Sequence, residues 1–169
     1  MTEEHIVFHE SDLLQFDIDV TSDSGIHEIL EIKETGECLY HRAFQKTDVD
    51  PQLFAGILIA LKDLTREIGM FEIEDITMRS LKAERSMVRY FFEQGQGCLS
   101  VVSADKKVNK AKTRRYLQKL HKIFVGKHFQ KHGDPWDGNV SKFENFGDDV
   151  DQTLKEHIIP PIPAITFKF

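Results

Sequence analysis

Histidines in the middle of the chain have the spacing that most resembles a site for chemistry. His128 and His132 lie four residues apart, His121 precedes His128 by seven, and Asp134 follows. Two imidazoles at four-residue spacing share one face of a helix, where they could bind a metal ion such as zinc. The sequence has no HExxH motif, no paired CxxC motif and no third close ligand. Solvated histidines are therefore the favoured interpretation, and we predict no metal site.

Two further patterns resemble parts of a functional site, a phosphate-binding loop and a carboxylate cluster, but neither supports such a site. The glycines of Gln94-Gly95-Gln96-Gly97 precede a predicted strand, whereas a loop that cradles phosphate precedes a helix. A carboxylate cluster alternates with the apolar residues of a predicted amphipathic helix, which makes it the solvated face of that helix; its members are Asp148, Asp149 and Asp151. We therefore predict no catalytic residues, no cofactor and no enzymatic activity.

Composition and cysteine usage bound the class of protein. The chain has 169 residues, of which 40 % are hydrophobic and 30 % charged, as in an ordinary soluble domain with a sizeable core. The first residues are acidic, so no secretory signal is expected. Cys38 and Cys98 fall in predicted strands, which favours buried, reduced thiols and a cytoplasmic location.

The chain divides into three parts. Residues 1–25 form an N-terminal extension in which Leu14, Phe16, Ile18 and Val20 alternate with polar residues, as in an edge strand. Residues 26–158 form the domain. Residues 159–169 are an apolar tail with three prolines within four residues, which we predict to dock on a free sheet edge. The tail is either displaced by a partner or permanent, and both interpretations stay open.

The domain reads as strand, strand, helix, three strands and two helices. Leu30 and Ile32 alternate with polar residues and are followed by a turn at Thr35-Gly36 and a returning strand at 39–44. Three more strands are predicted at 71–81, 86–93 and 98–103, joined by loops too short for crossovers. Helical periodicity then covers 106–130 and 143–158. Short connections predict an antiparallel sheet.

The helix at 51–68 is apolar almost all round. Asp48 or Asp50 caps it, Pro51 opens it and Gly69 ends it. The stripe expected to face the sheet consists of Phe54, Leu58, Leu61, Leu64 and Ile68. The residues left on other sides are Leu53, Gly56, Ile57 and Ala60. Either the terminal segments cover them or a partner does. We predict that this helix, with the strand at 39–44, forms a self-association or partner surface, with a homodimer as one form of that association.

The helix at 106–130 concentrates positive charge. Between Asp105 and His132 the chain has ten lysines and arginines and one acidic residue, a net charge of +9 in a protein of net charge −6. A solvated helix face on an acidic sheet is one interpretation. A docking surface for an acidic protein or an anionic membrane is the other, and nucleic acid is disfavoured by the acidic overall balance. The predicted contact residues are Lys112, Arg114, Arg115 and Lys119.

Three segments resemble a longin domain, the profilin-like module of vesicle-trafficking adaptors and tethering complexes. IKETGECLYHRAF is similar to its first hairpin, LSVVSADKKVN with KTRRYLQKLHKIFVGKHF to its last strand and second helix, and KFENFGDDVDQTL to its closing helix. The resemblance covers 26–158 and extends in particular to longin-like proteins of Asgard archaea. The chain lacks the coiled-coil heptads and membrane anchor of longin SNARE proteins, which favours the adaptor and GTPase-regulator branches.

The resemblance completes the prediction of fold and function. We predict an α+β fold with a five-stranded antiparallel sheet in the order 2-1-5-4-3, one helix on one face and two on the other, because Leu99–Val102 is apolar on both faces. Cys38 would lie on the edge strand and Cys98 on the central one, too far apart for a disulfide. The implied function is a non-enzymatic module for a small Ras-like GTPase or another longin- or roadblock-type subunit. A profilin-like actin-binding protein is the alternative.

Overall fold

A computed structural model describes residues 24–47, 49–69, 73–79 and 87–158 of the chain. The predicted N-terminal edge strand at Leu14–Val20, the predicted C-terminal tail at 159–169 and the candidate cap Asp48 lie outside the described residues. Among the helices that the structure does describe, none has the length and apolar content needed to cross a membrane.

The sheet has the predicted strands, order and direction. Its five strands are arranged in the order β2-β1-β5-β4-β3, and every neighbouring pair is antiparallel. The strands are β1 Ile26–Lys33, β2 Cys38–Ala43, β3 Asp75–Arg79, β4 Met87–Gly95 and β5 Cys98–Asp105. The α+β fold class with strand order 2-1-5-4-3 is therefore confirmed.

The central strand β5 explains why the sheet needs cover on both sides. Every residue from Cys98 to Ala104 is buried. Leu99 and Val101 contribute to one hydrophobic core, and Cys98, Val102 and Ala104 contribute to the other. The β4–β5 turn has Gln96 and Gly97 at φ of 53° and 81°. Such a turn brings two consecutive strands directly together, as a two-residue hairpin does.

Helices cover the two faces unequally, as predicted. Helix α1, Pro51–Gly69, covers one face, and helices α2, Lys110–Ile123, and α3, Phe146–Ile158, cover the other. Helix α2 continues through a π-helical segment, Phe124–Phe129, and a last turn, Gln130–His132, and a 3-10 helix, Val140–Phe143, precedes α3. One helix on one face and two on the other is the predicted arrangement.

Capping residues set where the first two helices begin. The Asp50 carboxylate accepts a hydrogen bond from the Leu53 backbone N–H at 2.9 Å, so the predicted Asp50 cap is confirmed. Helix α2 begins at Lys110 and not at the predicted Lys106, because the Asn109 side chain caps it by accepting from the Lys112 backbone N–H at 2.9 Å.

The two hydrophobic cores differ in chemistry. The core under α1 is mainly aliphatic and consists of Leu30, Ile32, Ala55, Leu58, Phe92, Leu99 and Val101. The core under α2 and α3 is larger and aromatic; Phe124 packs there against Phe143 and Phe146, with ring centroids 5.4 and 4.9 Å away. The α2–α3 face is therefore the more extensively packed side of the domain.

The rotation of α1 differs from the prediction. Ala55 and Leu58 face the sheet, whereas Leu64 and Ile68, two members of the stripe expected to face it, are 54 % and 75 % exposed. Successive residues advance about 100° around a helix, so an inward face centred between Ala55 and Leu58 turns Leu64 and Ile68 towards solvent. The small side chain of Ala55 lets the helix backbone lie close to the sheet.

The cysteines occupy the strands implied by the longin resemblance. Cys38 lies on the edge strand β2 and Cys98 on the central strand β5, and both are free thiols. Burial raises the pKa of the Cys38 thiol to about 11 and raises the pKa of Cys98 further still. Both sulfurs are therefore protonated at neutral pH, where a thiol is a poor nucleophile.

Candidate functional site

An apolar stripe runs along the solvent side of α1. Leu53 and Ile57 are 66 % and 54 % exposed and lie on the same side as Leu64 and Ile68. These four positions fall within about 60° of the helix circumference at 100° per residue. We call the set, completed by Gly56 and Ala60, the α1 outer stripe. The structure thus brings together all four residues predicted for a partner surface on this helix.

Small residues within the stripe leave room for a second backbone. Gly56 and Ala60 are exposed, and a Cβ atom placed on Gly56 would meet no atom within 4 Å. No packing within the described part of the chain therefore requires glycine at this position, although glycine costs a helix interior about 1 kcal/mol relative to alanine. Close approach by another molecule is a physical reason for it.

The N-terminal end of α1 is fixed against the β1–β2 hairpin. The Gln52 side chain donates to the Gly36 carbonyl at 3.0 Å and accepts from the Cys38 backbone N–H at 2.9 Å. These two bonds hold the helix at its start, while Ala55 and Leu58 hold it against the sheet. The outer stripe is thus presented by a helix whose orientation is set by other residues.

Arg114 is the one predicted basic contact residue that turns inward. Its guanidinium donates to the backbone carbonyls of Phe92 and Glu74 at 3.4 and 2.8 Å. It also lies 3.9 Å from the Glu74 carboxylate and 4.0 Å from that of Glu93. Arg114 therefore ties α2 to the β3–β4 side of the sheet, which gives it a structural role.

The other predicted cations form a line on the outer side of α2. Lys112, Arg115 and Lys119 follow one another at three- and four-residue steps, and Lys122 extends the line. We call these four residues the α2 basic stripe. Lys119 pairs with Glu156 of α3. Elsewhere in the stripe, no ion pair joins Lys112, Arg115 or Lys122 to a described carboxylate.

The prediction of solvated histidines is wrong for two of the three. His121 and His128 are only 8 % and 5 % exposed. His128 Nε2 lies 2.7 Å from Asp149 Oδ2 and its ring packs near Phe124 and Phe146. The π-helical segment after α2 turns His128 inward, where a carboxylate from α3 satisfies it. The cause is tertiary packing, which the four-residue spacing does not reveal.

Two of the three aspartates predicted to lie on a solvated face are also engaged. Asp149 is 16 % exposed and bonds to Lys127 at 2.8 Å as well as to His128. Burial works to raise the pKa of Asp149, but the hydrogen bonds from Lys127 and His128 hold that pKa below its usual value. Asp151 pairs with Arg42 of β2 at 2.7 Å. These contacts fasten α3 to α2 and to the sheet edge, whereas Asp148 is exposed as predicted.

A buried polar cluster lies between the sheet and α2. Glu31 of β1 and Ser100 of β5 are directly paired across the strands, and their side-chain oxygens are 2.5 Å apart. The Ser100 hydroxyl also lies 2.8 Å from Nδ1 of His121, and the Cys98 sulfur lies 3.8 Å from Glu31 Oε2. The second carboxylate oxygen of Glu31 has no hydrogen-bond partner among the described residues. We call this the Glu31–Ser100–His121 chain.

Burial keeps both ends of this chain uncharged. It raises the pKa of Glu31 to about 8, against hydrogen bonds from Ser100 and Cys98 that lower it. Burial also lowers the pKa of His121, against the nearby Glu93 carboxylate, which raises it. At neutral pH a protonated Glu31 can then donate to Ser100, and the Ser100 hydroxyl can donate to Nδ1 of His121. This assignment gives both hydrogen bonds of the chain a donor and an acceptor and leaves one Glu31 oxygen without a partner among the described residues.

The chain does not have the arrangement of a hydrolytic site. A serine within hydrogen-bond reach of a histidine is the usual nucleophile and base. Ser100 is completely buried, so no substrate carbonyl can approach its oxygen. The carboxyl group bonds to the serine and not to the histidine, so it does not orient the imidazole as a catalytic triad requires. A structural role fits this geometry.

Sequence reasoning misses this cluster for an identifiable reason. Glu31 alternates with Leu30 and Ile32, and such alternation indicates the solvated side of a half-buried strand. A signal is available, because β5 is predicted to be covered on both faces. A polar residue paired with the middle of such a strand is a candidate for burial, as Glu31 is, and Ser100 and Ser103 mark the polar positions within β5 itself.

The described residues hold no group of three or more histidine, cysteine or acidic side chains that could bind a metal ion. An open groove of about 590 Å³ lies on the α1 side of the sheet, beyond the helix, with Glu28, Tyr90 and Ser103 among its lining residues. The Glu28 carboxylate already pairs with His41, at 3.0 Å. The groove and its lining residues therefore indicate no particular cofactor.

Comparisons with known proteins find similarity at the level of fold. No family model matches the sequence, and no curated protein matches it significantly. A Roadblock/LC7 domain from Streptomyces avermitilis is 13 % identical, with 64 % of this chain and 90 % of that one covered and a TM-score of 0.47. MglB of Myxococcus xanthus is 17 % identical, with the same coverages and a TM-score of 0.44. The gliding protein MglB of Thermus thermophilus is 11 % identical, with 94 % and 98 % covered and a TM-score of 0.41. Similarity this distant carries no functional conclusion.

Proposed function

We propose that this chain is a non-enzymatic interaction module that assembles with another longin- or roadblock-type subunit through the α1 outer stripe. A second copy of the chain is the simplest such subunit. The observation that carries the proposal is the line of four large apolar side chains, each more than half exposed, on one side of α1. The assembled module then binds a small Ras-like GTPase, which is the partner that the longin resemblance implies.

Physical chemistry supports association at this surface. Burying one leucine or isoleucine side chain contributes about 1.5–3 kcal/mol, and contiguous exposed apolar patches on soluble proteins usually mark interaction sites. The inward side of α1 is already packed on the sheet. The side chains of the outer stripe therefore do not contribute to the core of the domain. Gly56 and Ala60 would let a second helix pack at the short end of the usual range of about 8–10 Å between axes.

The oligomeric state tests the first part of the proposal. Light scattering over a wide concentration range should show a dimer that dissociates on dilution. Ile57→Arg, in the centre of the stripe, should yield a folded monomer, because an arginine there cannot be desolvated without a partner charge. Gln118→Arg introduces the same side chain at an exposed position on α2 and should leave the dimer intact.

Binding experiments test the second part. A panel of small GTPases, each loaded with GDP or a GTP analogue, is compared with actin as the ligand of the profilin-like alternative. Binding of one GTPase by the wild type, with weaker binding by Ile57→Arg, supports a module that acts in its assembled form. Binding of actin alone, or a wild type that is monomeric at every concentration, contradicts the proposal.

Finer parts of the prediction rest on the sequence resemblance alone. These are the role in vesicle trafficking and the relation to longin-like proteins of Asgard archaea. The proposed cytoplasmic location rests instead on the two cysteines in predicted strands and on the acidic N-terminal residues. Contact with an anionic membrane is proposed for the α2 basic stripe, whose cations would each contribute about 1 kcal/mol near an anionic surface. A nucleic-acid partner is not proposed.

A further inference from the structure

A trough runs between α2 and α3 along the α2 basic stripe. It consists of two cavities of about 380 and 270 Å³ that share Lys112 and His157. The first cavity is lined at its other end by Ser24 and Gly25. The second continues past Arg115 and Lys119. The trough therefore extends from the start of the described domain along the line of cations.

The start of the domain is firmly placed at the end of this trough. The Ile26 backbone N–H donates to the Ser24 hydroxyl at 3.1 Å, and the Asp105 backbone N–H donates to the Gly25 carbonyl at 2.9 Å. Gly25 has a φ of +68°, and a Cβ on it would lie 2.8 Å from Val108 Cγ1. Residues 1–23 are thus tethered beside the first cation of the stripe.

The net charges of the trough and of the N-terminal segment are opposite. The trough is also lined by two carboxylates, Asp105 and Glu156, which pair with His27 and Lys119, and its lysines and arginines outnumber them. Helix α2 contains no acidic residue, and of the four cations of the stripe only Lys119 pairs with a described carboxylate. Burial and the nearby Lys112 lower the pKa of His157 to about 4, so the trough is lined by a neutral imidazole at pH 7. Residues 1–23 contain seven acidic residues and no lysine or arginine.

We propose that the acidic N-terminal segment, residues 1–23, binds along the α2 basic stripe and masks it. An external anionic surface must then displace the chain's own segment before it can use these cations. The C-terminal segment also leaves the domain beside this trough, at Ile158, but residues 159–169 contain one lysine and no acidic residue. Only the N-terminal segment is complementary in charge.

The lengths agree with this pairing. Lys112 and Lys122 are about 15 Å apart at 1.5 Å per helical residue. An extended segment advances about 3.3 Å per residue, so about five residues span the stripe. Asp23 and Asp19 lie within five residues of the tether at Ser24, and Asp17 lies two residues further along the segment. The segment is thus long enough to cover the whole stripe while it remains attached at Ser24.

Carbodiimide cross-linking of the full chain tests the proposal, because it joins only carboxylates and amines in direct contact. In 20 mM salt, residues 1–23 should cross-link to Lys112, Lys119 and Lys122. The yield should fall at least fivefold in 500 mM salt, where the Debye length is about 4 Å. The Lys119–Glu156 pair is an internal positive control. Absent cross-links from 1–23, or equal yields at Lys33, Lys46 and Lys131, would overturn the proposal.

Vesicle binding distinguishes a masked stripe from one that is permanently free. A triple variant should bind vesicles with 30 % phosphatidylserine at least fivefold more tightly than the wild type does. It combines Asp17→Asn, Asp19→Asn and Asp23→Asn. A matched control variant removes the same charge from exposed positions elsewhere and combines Glu34→Gln, Glu67→Gln and Glu144→Gln. It should bind the same vesicles less than twofold more tightly than the wild type does. Equal gains in the two variants would show a general charge effect and contradict masking.

Discussion

The two faces of the sheet complete their packing in different ways. On the α2–α3 face, an aromatic core is enclosed by two helices and the helices are fastened by pairs such as His128–Asp149 and Arg42–Asp151. On the α1 face, a smaller aliphatic core lies under one helix whose outer side is apolar and exposed. The α2–α3 face is therefore covered by helices of the same chain, whereas on the α1 face the helix presents an exposed apolar side that a second molecule can bury.

The largest expected effect is loss of the aromatic core. Phe124→Ala should lower the free energy of unfolding by about 4 kcal/mol, because a buried phenylalanine with close aromatic neighbours leaves a cavity. Leu58→Ala, in the core under α1, should cost about 2–3 kcal/mol. Urea denaturation of both variants measures the difference. Equal costs would contradict the claim that the α2–α3 face is the more extensively packed one.

Glu31→Gln should stabilise the domain at pH 7 by about 3 kcal/mol. The folded-state pKa of Glu31 is raised from 4.5 to about 8, so folding is progressively disfavoured as the pH rises through that window, at about 1.4 kcal/mol per pH unit. The glutamine amide can still donate a hydrogen bond to the Ser100 hydroxyl, and it does not ionise in this pH range.

The pH profile of urea stability from 5 to 9 checks this prediction. The wild type should lose stability towards pH 8, and Glu31→Gln should flatten that loss. His121 acts in the opposite direction, because its pKa is lowered and the protonated form is favoured in the unfolded chain below its ordinary pKa of 6.5. The exposed Glu34→Gln serves as a control. A profile that Glu31→Gln leaves unchanged would show that Glu31 is ionised in the fold.

Neighbouring arginines of α2 should differ in their contribution to stability. Arg114→Gln should cost about 1–2 kcal/mol, because it leaves backbone carbonyls of Phe92 and Glu74 without their charged donor. Arg115→Gln should change stability by less than about 0.5 kcal/mol, as exposed residues usually do. Thermal unfolding of the two variants compares them directly. Similar costs would contradict the division of the basic helix into inward and outward cations.

Gly56→Leu should change the stability of the monomer only slightly and still disrupt association. The position is open, and leucine is favoured over glycine in a helix by up to about 0.8 kcal/mol, so the monomer should be slightly stabilised. The larger side chain should keep a second helix at a distance and weaken the dimer at least tenfold in light scattering. Gly126→Leu, also at an exposed helical position with open space around it, is the matched control. An unchanged dimer would place the interface elsewhere.

Much of the fold could be predicted because it depends on local patterns. The alternation of Leu30 and Ile32 with polar residues, the Gly36 turn and the apolar residues on both faces of β5 are properties of neighbouring residues. The strand order came from the longin resemblance and is the observed one. The candidate site could be predicted in part: residues 53, 56, 57 and 60 share one exposed side of α1, but Arg114 turns away from the other three predicted cations.

The sequence by itself determined the order of elements, the antiparallel pairing and the excess of apolar residues on α1. Only the tertiary structure decided which side of α1 faces the sheet, because a helix that is apolar all round has several equivalent inward faces until its small residue, Ala55, meets the strands. Tertiary packing likewise buried Glu31 and His121 together, although they are 90 residues apart. Periodicity reports the neighbours along one element, whereas burial depends on the element that covers it.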